Sequence, residues 1–187
     1  MAGELIGTVD LGKGRRFEAV IADLLAESAD AIVNAANGYL SHGGGVAAAI
    51  ADAAGPELDE EGDRIVRERG RIETGCAVKT TAGRLPFKGV IHAVGPRQGE
   101  GHEEEKLAAA LRSSFRIAEE NGWTSISFPA ISSGIFSVPP EVCARAYLRA
   151  VRAHYEESPG SPLMRIRLCL FRGPVAEAVR RELASKR

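Results

Sequence analysis

Two spacings of apolar residues alternate along this chain. Short apolar runs bounded by glycine, asparagine or proline read as strands: Arg16–Ala22, Ala31–Asn34, Cys76–Ala82, Gly89–Gly95, Ser125–Ile131 and Arg165–Phe171. Between them the period lengthens to that of a helix. "VAAAIADAAG" opens at Val46 and stops at Gly55, and "PELDEEGDRIVRERG" starts on Pro56 and ends at Gly70. "EEEKLAAALRSSFRIAEENG" places Leu107, Leu111, Phe115 and Ala118 on one face, with acid at its start and Gly122 at its end. Two further helices follow, in "PPEVCARAYLRAVRAHYEES" and "PVAEAVRRELASKR". Strands alternating with helices predict an α/β sandwich with helices on both faces of the sheet. The length of 187 residues suits a single domain, 1–187.

Composition narrows the function classes. The chain carries 24 basic and 25 acidic residues, and this net charge of −1 argues against a dedicated nucleic-acid binder. Cys76, Cys143 and Cys169 are far apart with no histidine at ligand spacing, so no metal site is expected. Their odd number suggests free thiols in a reducing compartment. The N-terminus lacks the pattern of a signal peptide, and no apolar run approaches a membrane span. A cytoplasmic protein is the expectation.

In open α/β sheets ligands sit at the carboxyl ends of strands, which singles out four loops. In "NAANGYLSHGGGVAAAI", Gly43, Gly44 and Gly45 expose backbone N–H groups at the start of a helix, where the dipole favours an anion. A flexible turn is the alternative. No Gly-Lys-Ser/Thr follows, so this is not a P-loop. Asn34 and Asn37 can hold ribose hydroxyls or can simply shape the loop. His42 is either a polar lid group or solvent-exposed, and Tyr39 reads as packing. In "ISSGIF", Ser132, Ser133 and Gly134 offer a donor-rich turn suited to phosphate oxygens, or an ordinary strand-to-helix turn. Asp23 ends its strand either as an acceptor for an exocyclic amine or as a helix cap. Phe171 ends another, either to stack on a base or to fill the core. His92, inside its strand, reads as a satisfied core histidine.

"DAIVNAANGYLSHGGGVAAAI", "VIHAVGP" and "SISFPAISSGIFSVPPE" together resemble the signature blocks of macrodomains, over about Arg16 to Phe171. The resemblance implies a three-layer α/β/α sandwich with a mixed, mostly parallel sheet of about six strands. It implies ADP-ribose as ligand, with ADP-ribosylated proteins or metabolites as partners and no cofactor. Under it, Asp23 would hold the adenine amine with the Leu24 backbone nearby, and Phe171 would pack on the adenine ring. Ser132, Ser133, Gly134, Ile135 and Phe136 would wrap the diphosphate, with Phe136 also against the distal ribose. Gly43 to Val46 would line the distal ribose, and Asn37 would be the catalytic-site asparagine. One position departs from the hydrolases of this family that keep an acid after the glycine-valine: here it is Ala47, as in archaeal and coronaviral variants. The expected activity is hydrolysis of ADP-ribosyl esters, namely modified Asp or Glu and O-acetyl-ADP-ribose. A non-catalytic reader and an ADP-ribose 1''-phosphate phosphatase are the alternatives.

Overall fold

The computed structural model describes residues 3–185. Seven strands form one sheet in the order β1-β2-β7-β6-β3-β5-β4. They are β1 (Glu4–Asp10), β2 (Arg16–Ile21), β3 (Ala31–Ala36), β4 (Ala77–Thr80), β5 (Gly89–Val94), β6 (Ser125–Phe128) and β7 (Arg165–Leu170). Five of them, β2, β7, β6, β3 and β5, run parallel; β1 and β4 are antiparallel edges. The helices are α1 (Gly45–Ala54), α2 (Pro56–Arg69), α3 (Glu103–Glu120), α4 (Pro140–Glu157) and α5 (Pro174–Ser185).

Alternation along the strands divides the core between two faces. Phe17, Val33, Ile91, Phe128 and Leu168 point to one side, where they meet Leu111 and Phe115 of α3, Tyr147 and Val151 of α4 and Val179 of α5. Val20, Ile32, Val90 and Cys169 point to the other, against Ile50 and Ala54 of α1 and Leu58 of α2. All six residues of β5 are buried, as expected of a parallel strand covered on both faces.

The predicted sandwich is present, with one strand more than expected. β1 escaped the pattern because none of its seven residues is buried. It is held by backbone pairing to β2, and a register shift between Leu5 and Gly7 interrupts the alternation. Five strands also end sooner than predicted, β2, β4 and β5 by one or two residues. β6 stops at Phe128 because Pro129 has no N–H for the ladder, and β7 stops at Leu170.

The turn after β6 is fixed from below. The Tyr147 hydroxyl, fully buried on α4, donates to the Pro129 carbonyl and accepts the Ile131 N–H at 3.2 Å. Its burial raises the phenol pKa well above the ordinary value, so it remains a donor. Tyr147→Phe would remove the partner that the Pro129 carbonyl and the Ile131 N–H share, leaving them only their own bond at 3.0 Å. The expected loss is about 2 kcal/mol of stability, read by urea unfolding. A loss below about 0.5 kcal/mol would mean that water replaces the hydroxyl.

Candidate functional site

The five parallel strands place their carboxyl ends along one edge in the order β2, β7, β6, β3, β5. Neighbouring strands are about 4.8 Å apart, so the loops leaving β2 and β3 lie roughly 14 Å from each other. Between the β6 and β3 exits lies a cleft of about 330 Å³, lined by Asn37, Ser41, Gly43 to Ala47, Arg97, Ala130 to Ser132 and Gly134 to Phe136, with Ala35 and Ala36 at its floor.

Its two walls are rich in unused donors. On one, α1 begins at Gly45 with no side-chain cap, so its first-turn N–H groups face the cleft. A Cβ built on Gly43 would meet nothing within 4 Å, and this residue has no left-handed backbone to demand glycine. Packing within the protein therefore does not explain Gly43. Gly45 is different, because its φ of +60° is itself a reason for glycine. On the other wall, the N–H groups of Gly134, Ile135 and Phe136 donate to no protein acceptor among the described residues. Ser132 adopts φ +67°, and its buried hydroxyl has no hydrogen-bond partner among the described residues. Ser133 lies outside the cleft lining and serves the turn, donating to Ala130 O at 2.8 Å.

Asn37 lines the cleft but also builds its own loop. Its Nδ2 donates to Ser41 O at 2.8 Å and to Ser41 Oγ at 3.0 Å, while Oδ1 accepts the Tyr39 N–H at 3.0 Å. Asn37 thus shapes its loop while lining the cleft. Asp23 caps the short 3-10 turn Leu24–Ala26, where it accepts the Leu25 N–H at 2.9 Å. Leu24 buries its side chain in the core, so only its backbone can serve a ligand. Phe171 is 84% exposed just past β7, which excludes the core-packing alternative. Asp23 and Phe171 sit outside the cleft lining, on the ledge formed by the β2 and β7 exits.

Three expectations are corrected. Asn34 does not reach a ligand, because it is fully buried and its Nδ2 donates to His92 Nδ1 at 3.1 Å. β3 is covered on both faces, with Ala31 to Asn34 all buried, so a side chain at Asn34 is enclosed whichever face it takes. His42 is neither lid nor exposed: its side chain is 7% exposed, turned under the glycine loop onto Asp59 Oδ1 at 2.7 Å and 5.7 Å from the His92 ring. Tyr39, expected to pack, is 62% exposed.

Sequence reasoning missed Arg97, the only ionisable side chain in the cleft lining, whose guanidinium lies 4.2 Å above the Phe136 ring. It stands at the β5 exit, right after "VIHAVGP". Applying the strand-end rule to that fifth parallel strand would have found it. No carboxylate lines the cleft, and Ala47, 8% exposed, occupies its wall.

This order of loops and the two donor-rich walls can be compared with known proteins. The Macro domain family matches residues 33–147. The chain is a macrodomain. A solved macrodomain of Oceanobacillus iheyensis with ADP bound is 30% identical, with a TM-score of 0.87 over 96% of this chain and 95% of that one. A Trypanosoma brucei macrodomain in complex with ADP-ribose is 29% identical, with a TM-score of 0.80 over 96% and 73%. Among relatives, an O-acetyl-ADP-ribose deacetylase of Klebsiella pneumoniae is 40% identical over 90% of this chain and 96% of its own length. A Thermotoga maritima protein is 48% identical over 84% of this macrodomain, which spans 26% of that protein's length.

Beneath the cleft, the Asn34 bond makes His92 Nδ1 an acceptor, so Nε2 carries the proton and reaches Thr80 Oγ1 at 2.8 Å. Burial, and secondarily the neighbouring His42, push the His92 pKa down to about 3. His92 therefore stays neutral in the folded macrodomain while the unfolded chain takes up a proton below about pH 6.5. Stability from this group is complete above pH 6.5 and falls with pH toward 3, by up to roughly 1.4 kcal/mol per pH unit. Urea unfolding between pH 6.5 and 4.5 should show a shallower slope in His92→Gln by about one proton. An unchanged slope would mean that His92 charges in the fold.

Proposed function

We propose that this macrodomain binds ADP-ribose along the strand-exit edge and hydrolyses ADP-ribosyl esters, O-acetyl-ADP-ribose and ADP-ribose on Asp or Glu. The observation that carries the reading is the pair of donor-rich walls facing each other across one cleft: the uncapped start of α1 and the unpartnered N–H groups of 134–136. A diphosphate between them would receive charge-assisted hydrogen bonds from both sides, each worth about 1.5–3 kcal/mol. Asp23 and Phe171 on the β2–β7 ledge then meet the adenine, and Asn37 with Gly43–Val46 meets the distal ribose. The bound nucleotides in the related structures and the deacetylase relatives support this assignment. An odd cysteine count, which leaves one thiol unpaired however the others combine, supports a reducing compartment such as the cytoplasm.

Ester hydrolysis requires a water to lose a proton as it attacks the acyl carbon while the ribose oxygen leaves. No lining carboxylate can take that proton. A substrate phosphate oxygen held between the walls would take it and pass it to the departing ribose oxygen, with Arg97 supplying positive charge in the same cleft. Asn37 orients the ribose. A positioned general base contributes about 10²–10⁴-fold, so turnover is slow compared with relatives that have one. The same lack of a carboxylate favours a second reading, a module that binds without cutting.

Incubation with O-acetyl-ADP-ribose should release ADP-ribose above the uncatalysed rate, and Asn37→Ala should lower kcat at least tenfold. Binding without release would leave the reader as the function. Gly43→Val should weaken ADP-ribose at least tenfold in calorimetric titration with the melting temperature unchanged. Undiminished affinity would return the glycine to the role of a simple turn.

A further inference from the structure

The ADP-ribose reading, on which this inference rests, takes its hydrogen-bonding and stacking contacts from four of the five parallel strand exits and only the charge of Arg97 from the fifth. The fifth, after β5, opens a second recess of about 200 Å³ that continues from the main cleft and shares Asn37, Ser41, Arg97 and Phe136 with it. Since β3 pairs with β5, this recess lies one strand step past the distal ribose, on the side away from the adenine. Under that reading, a group attached to the distal ribose would have this recess as its neighbour on the side away from the adenine.

The recess carries an excess of positive charge. Arg71 enters it from the segment before β4, with its guanidinium 6.0 Å from the ring centroid of Tyr39. Arg97 enters from the β5 exit, stacked on Phe136. Neither guanidinium has a carboxylate partner among the described residues. The one acid in the lining, Glu100, is already committed: it accepts the Arg97 N–H at 3.0 Å and lies 3.7 Å from Lys106 Nζ. Each arginine rests against an aromatic ring, which holds the planar donor fork in place at little further entropic cost.

Exposed apolar groups extend the same line. Among the described residues, three of the five exposed large hydrophobics lie at successive exits: Phe171 after β7, Ile135 after β6 and Tyr39 after β3. The first two flank the ADP-ribose path. Tyr39, at the mouth of the recess, has no part in that reading. A recess several times the roughly 30 Å³ share of one water accommodates side chains rather than an acetyl group alone.

We infer that the Arg71–Arg97 recess recognises the protein side of an ADP-ribosylated substrate, an acidic peptide whose carboxylates flank the modified residue. Arginine forks take carboxylates two bonds at a time, and Tyr39 supplies an apolar platform for the peptide chain. The macrodomain would then prefer modified acidic segments over ADP-ribosylated segments of neutral sequence.

The test uses peptides carrying ADP-ribose on a glutamine, whose amide link resists the esterase reaction. One has glutamates on either side and the other has glutamines. Fluorescence competition in low salt should show the acidic peptide binding at least tenfold tighter, with the margin falling to about twofold in Arg71→Glu and in high salt. Equal affinity for the two peptides, or a margin that survives Arg71→Glu, overturns the inference. ADP-ribose 1''-phosphate is tested alongside: if its affinity depends on Arg71 as strongly as the acidic peptide's does, the recess is a phosphate site and the peptide assignment fails. Free ADP-ribose separates the recess from the nucleotide site. If it binds while the peptides do not differ, only the recess assignment is lost; if it fails to bind, the nucleotide reading falls as well.

Discussion

Parallel pairing of β2, β7, β6, β3 and β5 is the constraint on which the rest of this macrodomain depends. Strands that run the same way must end on the same edge, so five separate stretches of chain deliver their exit loops side by side. Each loop comes from a different part of the sequence. The pairing alone decides that the Asp23 turn lies beside Phe171, then the 132–136 turn, then the glycine loop, then Arg97. A linear ligand laid across that edge meets them in this order.

Holding the edge still takes polar contacts inside the protein. The Tyr147 hydroxyl ties the β6 exit from below, and Asn37 ties the β3 exit through the Ser41 and Tyr39 backbone. Deeper, Thr80, His92 and Asn34 form a buried hydrogen-bonded chain, and His42 brings the glycine loop onto Asp59 of α2. Such groups are costly to bury unless paired, and most of these are. The exceptions among the residues around the cleft are Ser132 Oγ, His42 Nε2 and Asn34 Oδ1. Ser132 alone of the three lines the cleft, where a ligand can complete it.

Charge separates binding from chemistry in this molecule. A cleft with one arginine and no carboxylate suits an anionic ligand, because nothing in its lining repels an anion. The same absence removes the usual acceptor for a water's proton. Under the proposed function, nucleotide affinity and slow turnover would be two consequences of one lining, with Ala47 in its wall.

The sequence by itself determined much of this. Its apolar periods mark the six strands that contribute buried residues and all five helices, since burial is what writes a period into a sequence. β1 left no such mark, because an exposed edge strand is held by backbone hydrogen bonds that any residue can make. The donor-rich loops were legible as glycine and serine clusters at strand ends. The side-chain directions were not. Asn34 and Asn37 look equivalent in "VNAAN", yet Asn34, inside β3, is enclosed beside His92 while Asn37, beyond the strand, faces the cleft. His42 adjoins the glycines in sequence but turns beneath them, and Arg71 and Arg97, 26 positions apart, meet at one recess. Only the tertiary structure decided these placements, because which face a residue takes and which distant loop it meets are set by strand pairing and packing.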